Sequence, residues 1–217
     1  VAKKRGAESR ERLVNAAADL FWQKGFAATS LAEIGAAAGV PLGNIYYYFR
    51  SKAALAEAVA AIMAEQMQAA LEEIAAAAEA PEMRLAALVD LLSHSVATRT
   101  ERGCPIRRAS AELREPAPEA SALAAAILAH LEAWLANELR RIGARPAEAQ
   151  ASAAKALILW QGGIALAEAR RDEAPLRQAL QDMRELFGET ARQSRTGHIS
   201  ERAGAPLPAE PRRTTGF

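Results

Sequence analysis

Apolar positions in the first fifty residues recur at three- and four-residue spacing in separate short stretches, the signature of amphipathic helices. Leu13, Ala17, Leu20 and Phe21 make the first stripe, opened at Glu8 or Ser9 and closed by Gly25. Leu31, Ile34 and Ala38 make the second. Thr29-Ser30 supply hydroxyls for its free amides, and Glu33 is spaced to complete a capping box with Ser30. Gly39 ends it with a residue that tolerates the left-handed turn, Val40 plugs the corner, and Pro41 restarts a third helix in its first turn, where a missing N–H costs nothing. The expected core of this bundle is nearly all of Leu13, Leu20, Phe21, Phe26, Leu31, Ile34, Val40, Ile45, Tyr48 and Phe49. The third helix turns Gly43, Asn44, Tyr46 and Tyr47 outward. A short exposed helix braced by the one before it is what a helix-turn-helix requires to lay side chains against base edges in the major groove.

Ser51 caps a long helix predicted over 52–78, striped by Leu55, Val59, Ile62, Met63, Met67, Leu71 and Ile74. After Pro81 a single helix is expected to run to about Thr100 and end at Gly103. Cys104-Pro105 opens a short segment to Leu113, and residues 119–142 form a further amphipathic helix ended by Gly143. Pro146 begins a helix with Gly162-Gly163 in its middle, a pair that answers to close approach by another backbone or a ligand. Pro175 begins the last, with Leu176, Leu180, Met183, Leu186 and Phe187. No strand pattern and no internal repeat interrupt this order. The expected fold is all-α: an N-terminal three-helix helix-turn-helix bundle (1–52), joined by a long helix to a C-terminal helical effector-binding and dimerisation domain (53–194). Residues 195–217 are rich in Gly, Pro, Arg and Thr, and a disordered tail is expected there, as is a flexible basic arm over residues 1–7.

Composition agrees with packed helices: 51% of the 217 residues are hydrophobic, mostly Ala and Leu, 5% are aromatic and 24% charged. The formal net charge of +1 hides a division. Residues 1–52 hold eight Lys and Arg against four Asp and Glu, a net +4 that leaves −3 for the rest. A basic head on a mildly acidic body predicts that the head alone meets a polyanion. The lone Cys104 excludes an internal disulfide and fits a reducing compartment, the cytoplasm. With no uninterrupted apolar run of about 18 residues and no apolar signal segment at the start, a soluble, unexported protein with no membrane partner is expected.

The run GFAATSLAEIGAAAGVPLGNIYYYFRSKAAL, residues 25–55, resembles the DNA-binding head of the TetR family of bacterial transcriptional repressors. The likeness rests on Gly25-Phe26, Thr29-Ser30, Ile34, Ala38-Gly39-Val40, Gly43, the aromatic run from Tyr46 to Phe49, and Ser51-Lys52 followed by Leu55. It implies phosphate contacts from Thr29, Tyr47 and Lys52 and base-edge contacts from Pro41, Leu42, Gly43, Asn44 and Tyr46. The chemistry agrees, since Tyr and Lys are phosphate donors and Asn can pair bidentately with adenine. Many members carry Ser-Lys where this chain has Pro41-Leu42, so a cationic contact is missing and Leu42 is left to touch a thymine methyl or nothing. The all-helical remainder is similar to the family's ligand-binding body. The partners implied are a near-palindromic double-stranded operator, a second copy of the chain paired through the helices at about 146–170 and 175–194, and an unknown small effector that releases the DNA.

A weaker likeness lies at Gly103-Cys104-Pro105-Ile106, a Gly-Cys-Pro segment found in some members, including some that respond to electrophiles or oxidants. A helix N-terminus with Arg107-Arg108 nearby would stabilise a thiolate, so modification of Cys104 is a second expected route of release; an inert buried cysteine is the plainer one. His94, His130, Trp134, Trp160 and Gln161 are the other candidates for an effector cavity, or for core filling. No metal-ligand spacing or glycine-rich phosphate loop occurs, so neither a metal nor a cofactor is expected. Two alternatives stand beside the regulator: a helical enzyme with Cys104 as nucleophile and His94 or His130 as base, and a helical adaptor that binds only protein, for which a basic head would be superfluous.

Overall fold

The computed structural model describes residues 2–203, with side chains described over 6–194. Ten helices and no strand occupy these residues: α1 (Ala2–Lys24), α2 (Leu31–Ala38), α3 (Leu42–Tyr48), α4 (Lys52–Ala77), α5 (Pro81–Ser93), α6 (Val96–Arg102), α7 (Pro105–Glu112), α8 (Pro118–Arg141), α9 (Pro146–Arg170) and α10 (Ala174–Ala203). The starts follow local chemistry. Pro stands in the first turn of α5, α7, α8 and α9, where its missing N–H is no loss, and Ser30 and Ser51 cap α2 and α4 through their hydroxyls.

Two cores result. The head packs Leu13, Val14, Ile34, Val40, Ile45 and Phe49, with Tyr48 half-buried at its edge. The body packs α4, α5, α8, α9 and α10 around Leu88, Leu131, Leu135, Leu139, Trp160 and Ile164. Helix α4 belongs to both, placing Leu55 and Val59 in the head's core and Leu71 and Ile74 in the body's. By length and composition α8 passes for a membrane span, but it lies within the body, with Leu131, Leu135 and Leu139 buried in that core.

Three elements depart from the sequence reading. The expected single helix after Pro81 is two, parted at His94-Ser95, where Ser93 Oγ donates to Val89 O (2.7 Å) and Ser95 Oγ to Leu92 O (2.9 Å). Hydroxyls that bond nearby carbonyls compete with the helix ladder. The first helix begins at Ala2, so the segment expected to be a flexible arm lies in α1. The last continues to Ala203, nine residues into the expected tail. Its buried stripe persists past Phe187 as Thr190, Ala191 and Ser194, whose hydroxyls return to the carbonyls of Leu186 (2.9 Å) and Thr190 (2.8 Å). The rest of the expected tail, 204–217, lies outside the described residues.

Candidate functional site

The turn between α2 and α3 is built as its residues predict. Glu33 N donates to Ser30 Oγ (3.2 Å) and Ser30 N to Glu33 Oε2 (2.9 Å), the reciprocal capping box. Lys24 Nζ lies 2.8 Å from Glu33 Oε1, and this contact, with the Ser30 bonds, holds the carboxyl down at about 2. Gly39 takes the left-handed conformation at φ 63°, and Val40 N donates back to Gly35 O at 2.9 Å. Gly35 matters as much and was not foreseen: a Cβ there would meet Val40 O at 2.7 Å and Ile45 Cδ1 at 2.9 Å. Only a glycine lets α3 cross α2 this closely.

Helix α3 hangs on Ile45, which is fully buried. Everything else in its first turns faces out: Pro41, Gly43 and Asn44 are exposed, Leu42 is 48% exposed, Tyr46 57% and Tyr47 84%. A Cβ on Gly43 would meet nothing within 4 Å, so the bare backbone there serves no packing need. Tyr47 and Tyr48 stack edge to face, 5.1 Å between centroids, and Arg10 of α1 lies over the Phe49 ring at 5.1 Å.

Two residues expected at the phosphates face inward. Thr29 is 1% exposed, and its hydroxyl donates to Gly25 O at 2.8 Å, so its side chain clips the α1–α2 loop and is not offered to DNA. Lys52 Nζ donates to Phe26 O (2.7 Å) and Thr29 O (2.8 Å) and sits over the Phe26 ring at 4.2 Å, with burial pushing its pKa down. It clamps the start of α4 to that same loop, and an ammonium has three N–H groups, so one is left for an anion.

The head is latched to the body through α7. Trp22 Nε1 donates to Gly103 O (3.2 Å), Phe26 N donates to Glu112 Oε2 (3.0 Å), and Arg108 reaches both Trp22 O and, at 3.2 Å, Glu112. Between them lies an apolar crease of about 30 Å³ faced by Phe21, Trp22, Phe26, Met63, Pro105 and Leu113. Apart from the i,i+4 spacing of Arg108 and Glu112, the sequence held no local signal for the latch, because its bonds from Trp22 to Gly103, from Phe26 to Glu112 and from Arg108 to Trp22 span more than eighty positions.

The six effector candidates separate into two groups. Cys104, Trp160 and Gln161 come together: Gln161 Nε2 donates to Cys104 Sγ at 3.6 Å, and the same sulfur caps α7 by accepting from Arg107 N at 3.5 Å. Cys104 is 1% exposed, which a reactive sensor at the surface would not be. The arginines expected to favour its thiolate point elsewhere, Arg107 to Glu168 (3.7 Å) and Arg108 to the latch. The charged neighbour is Arg99 of α6, whose guanidinium lies over the Trp160 ring at 5.0 Å; burial pushes its pKa down and the Cys104 sulfur opposes that shift. His94 is exposed at the α5–α6 break, His130 lines an open apolar groove of about 350 Å³ between α4 and α8, and half-buried Trp134 packs on the body core. Neither histidine is among the hydrogen-bond partners of Cys104, so the nucleophile and base of the enzyme alternative are not assembled. Among the described residues no three His, Cys, Asp or Glu side chains converge on a metal position.

Comparison with known proteins places both halves. The profile described as bacterial regulatory proteins, tetR family, matches residues 13–59, and that of the LmrA/YxaF-like transcriptional regulator C-terminal domain matches residues 56–182. An uncharacterized HTH-type transcriptional regulator of Mycobacterium tuberculosis is 31% identical over 187 residues, 82% of this chain and 93% of its own. Among solved structures, a TetR-family transcriptional regulator from Streptomyces coelicolor superposes with TM-score 0.76 at 19% identity, over 85% of this chain and 97% of its own. A TetR transcriptional regulator from Chloroflexus aurantiacus does so with TM-score 0.72 at 27% identity, over 85% and 96%.

Proposed function

Because the chain belongs to the TetR family of bacterial transcriptional regulators, we propose that it is a dimeric repressor released from a near-palindromic operator when a small effector enters the body. The observation that carries the DNA half is the outer face of α3, where Pro41, Leu42, Gly43, Asn44, Tyr46 and Tyr47 are all exposed while Ile45 alone anchors the helix. Tyr47 and the third N–H of Lys52 meet phosphates; Asn44, Tyr46 and the backbone at Gly43 meet base edges. Thr29 shapes the loop that carries them.

Pairing through α9 and α10 is supported by the two adjacent glycines. Gly163 is explained within the chain, since a Cβ there would lie 2.6 Å from Ala179 Cβ on α10. Gly162 is not, for a Cβ there would meet nothing within 4 Å, and it stands beside Ile158 (71% exposed) and Leu166 (48%) on the same outward face. An apolar stripe with a bare backbone at its centre fits close approach by a second copy. Two recognition helices then address major grooves about 34–36 Å apart, or a multiple of that.

Release runs through α7. Its first turn is capped by the Cys104 sulfur, and Arg108 at its middle and Glu112 at its end hold the head, so a shift of α6 or α7 on effector binding tilts α1 and changes the spacing of the two heads. The buried position of Cys104 favours a noncovalent effector over direct modification of the thiol. Fluorescence anisotropy with duplexes tiling the DNA beside the chain's own gene tests the proposal. One duplex is expected to bind, with affinity falling steeply as salt rises, and Asn44→Ala is expected to weaken it about tenfold, the scale of one lost bidentate base contact. Equal binding to all duplexes, or none, counts against it.

A further inference from the structure

Among the described residues, four buried side-chain atoms have no hydrogen-bond partner: Arg99 Nη1, Thr100 Oγ1, Trp160 Nε1 and Gln161 Oε1. They belong to two adjacent pairs, one on α6 and one on α9, whose side chains meet where Arg99 lies over Trp160 at 5.0 Å and Gln161 reaches Cys104 at 3.6 Å. Trp160 is fully buried and Thr100 is 8% exposed, so bulk water does not satisfy them. Arg99 donates from Nε to Ser95 Oγ at 2.8 Å and has the Cys104 sulfur beside it, but among the described residues no carboxylate stands among its ion-pair partners. The nearest acids in sequence and across the seam are engaged elsewhere, Glu101 with Arg102 (3.9 Å) and Glu168 with Arg107 (3.7 Å). Arg99 is half-buried as a residue, but its Nη1 is sealed from water, and a sealed guanidinium N–H with no carboxylate to meet it is costly.

We propose that this seam between α6 and α9 is the effector site and that its ligand is a small organic acid, with Arg99, Thr100 and Trp160 donating to the carboxylate. The donor set fits that group: one charged N–H, one indole N–H and one hydroxyl stand unpaired on the two packed helices, and a carboxylate accepts without donating. Gln161 Oε1, an acceptor, takes a hydroxyl or amine on the same molecule. The apolar part of the acid lies along the Trp160 ring, beside the body core. The site also explains how occupancy reaches the head. Helix α6 is only seven residues long and ends at Gly103, whose φ of 71° and ψ of −162° suit glycine alone, and Gly103 O is the acceptor that holds Trp22. A carboxylate drawing on Arg99 therefore pulls on the segment four residues before the latch.

This rests on the reading of the chain as an effector-released repressor, and the test separates the two. Binding of benzoate, 3-hydroxybenzoate and hexanoate to the full-length chain is measured by calorimetry without DNA, at constant ionic strength, each beside its neutral amide. Operator binding by the ligand-free chain is measured separately. At least one acid is expected to bind, its amide at least thirtyfold more weakly, and Arg99→Gln is expected to lower the acid's affinity tenfold or more. Thr100→Val, which keeps the shape of the side chain, is expected to lower it three- to tenfold and serves if Arg99→Gln does not fold. The proposal falls if no acid binds, if acid and amide bind alike, or if folded Arg99→Gln or Thr100→Val binds the acid as the parent does; seam waters then satisfy the four atoms. Absent operator binding with intact acid binding would instead overturn the repressor reading.

Discussion

The recognition face of α3 and the α6–α9 seam both hold polar groups that the fold does not use, yet they hold them in opposite places. On α3, Asn44, Tyr46 and Tyr47 stand in solvent, where water satisfies them until DNA arrives. In the seam, Thr100 and Trp160 are buried with an unpaired hydroxyl and indole N–H, and each such group costs about 1–3 kcal/mol. Function on the outside is nearly free of stability; function on the inside is drawn from it. The same contrast separates Tyr47 from Lys52, two residues that the family resemblance treats alike as phosphate contacts.

The largest effect is expected where a proposed phosphate contact is also part of the fold. Lys52→Met removes the donor to Phe26 O and Thr29 O, and at a half-buried site where water can partly replace it the loss is about 2 kcal/mol of stability. Urea unfolding followed through the tyrosines reads this directly, because all three, Tyr46 to Tyr48, lie in the head. Unchanged stability would return Lys52 to the role of a simple phosphate contact. Tyr47→Ala makes the opposite case. At 84% exposure the change leaves the unfolding midpoint within about 0.5 kcal/mol of the parent, while operator affinity falls about tenfold. If Tyr47→Ala unfolds the head, the face is not the independent surface described.

The seam reverses the sign. Thr100→Val deletes an unpaired buried hydroxyl at almost constant shape, so the ligand-free chain is expected to gain about 1 kcal/mol in urea unfolding while its response to the acid declines. A loss of stability would mean that the hydroxyl has a partner, and the contrast between the two regions would then fail at its inner end.

How much of this was legible depends on the range of the interactions. The capping box at Ser30 and Glu33, the left-handed Gly39 and the outward phase of Asn44, Tyr46 and Tyr47 are local, and each is readable within four residues. Whether Thr29 and Lys52 face phosphate or carbonyl depends on Gly25 O, Phe26 O and Thr29 O, which the folded loop brings to them. Trp160 and Gln161, candidates for a cavity or for core filling, lie on α9 with Trp160 fully buried, while the meeting of Gln161 with Cys104 is a contact between residues 57 positions apart that no local pattern announces. Arg99 and Thr100 were passed over because the α5–α6 break at Ser95 resets the helical phase; counted from Val96, they are the i+3 and i+4 positions of a buried face. His94 and His130 were drawn in by apolar neighbours in sequence, although Leu92 and Leu131 turn inward while the histidines do not.

The smallest expected effect is an acid transition confined to the head. Lys24 and the Ser30 amide and hydroxyl hold the Glu33 carboxyl down from 4.5 to about 2, so the folded head favours its charged form. That contribution is complete above about pH 4.5, falls as the pH drops toward 2, and is absent once both states are protonated. Because Glu33 and Lys24 are exposed, salt weakens the part due to Lys24 and leaves the Ser30 bonds. Tyrosine signals are expected to report this loss, and Glu33→Gln, which can still accept from Ser30 but carries no charge, to remove it. In the seam Arg99 stays protonated throughout this range and no carboxylate stands among its ion-pair partners, so the Trp160 environment is expected to hold while α2 loosens. In a Trp22→Phe background, which leaves only the body's Trp134 and Trp160, a tryptophan change at the same pH as the tyrosine change would show that head and body unfold as one unit, with the junction strong enough to carry the loss of a single surface carboxylate.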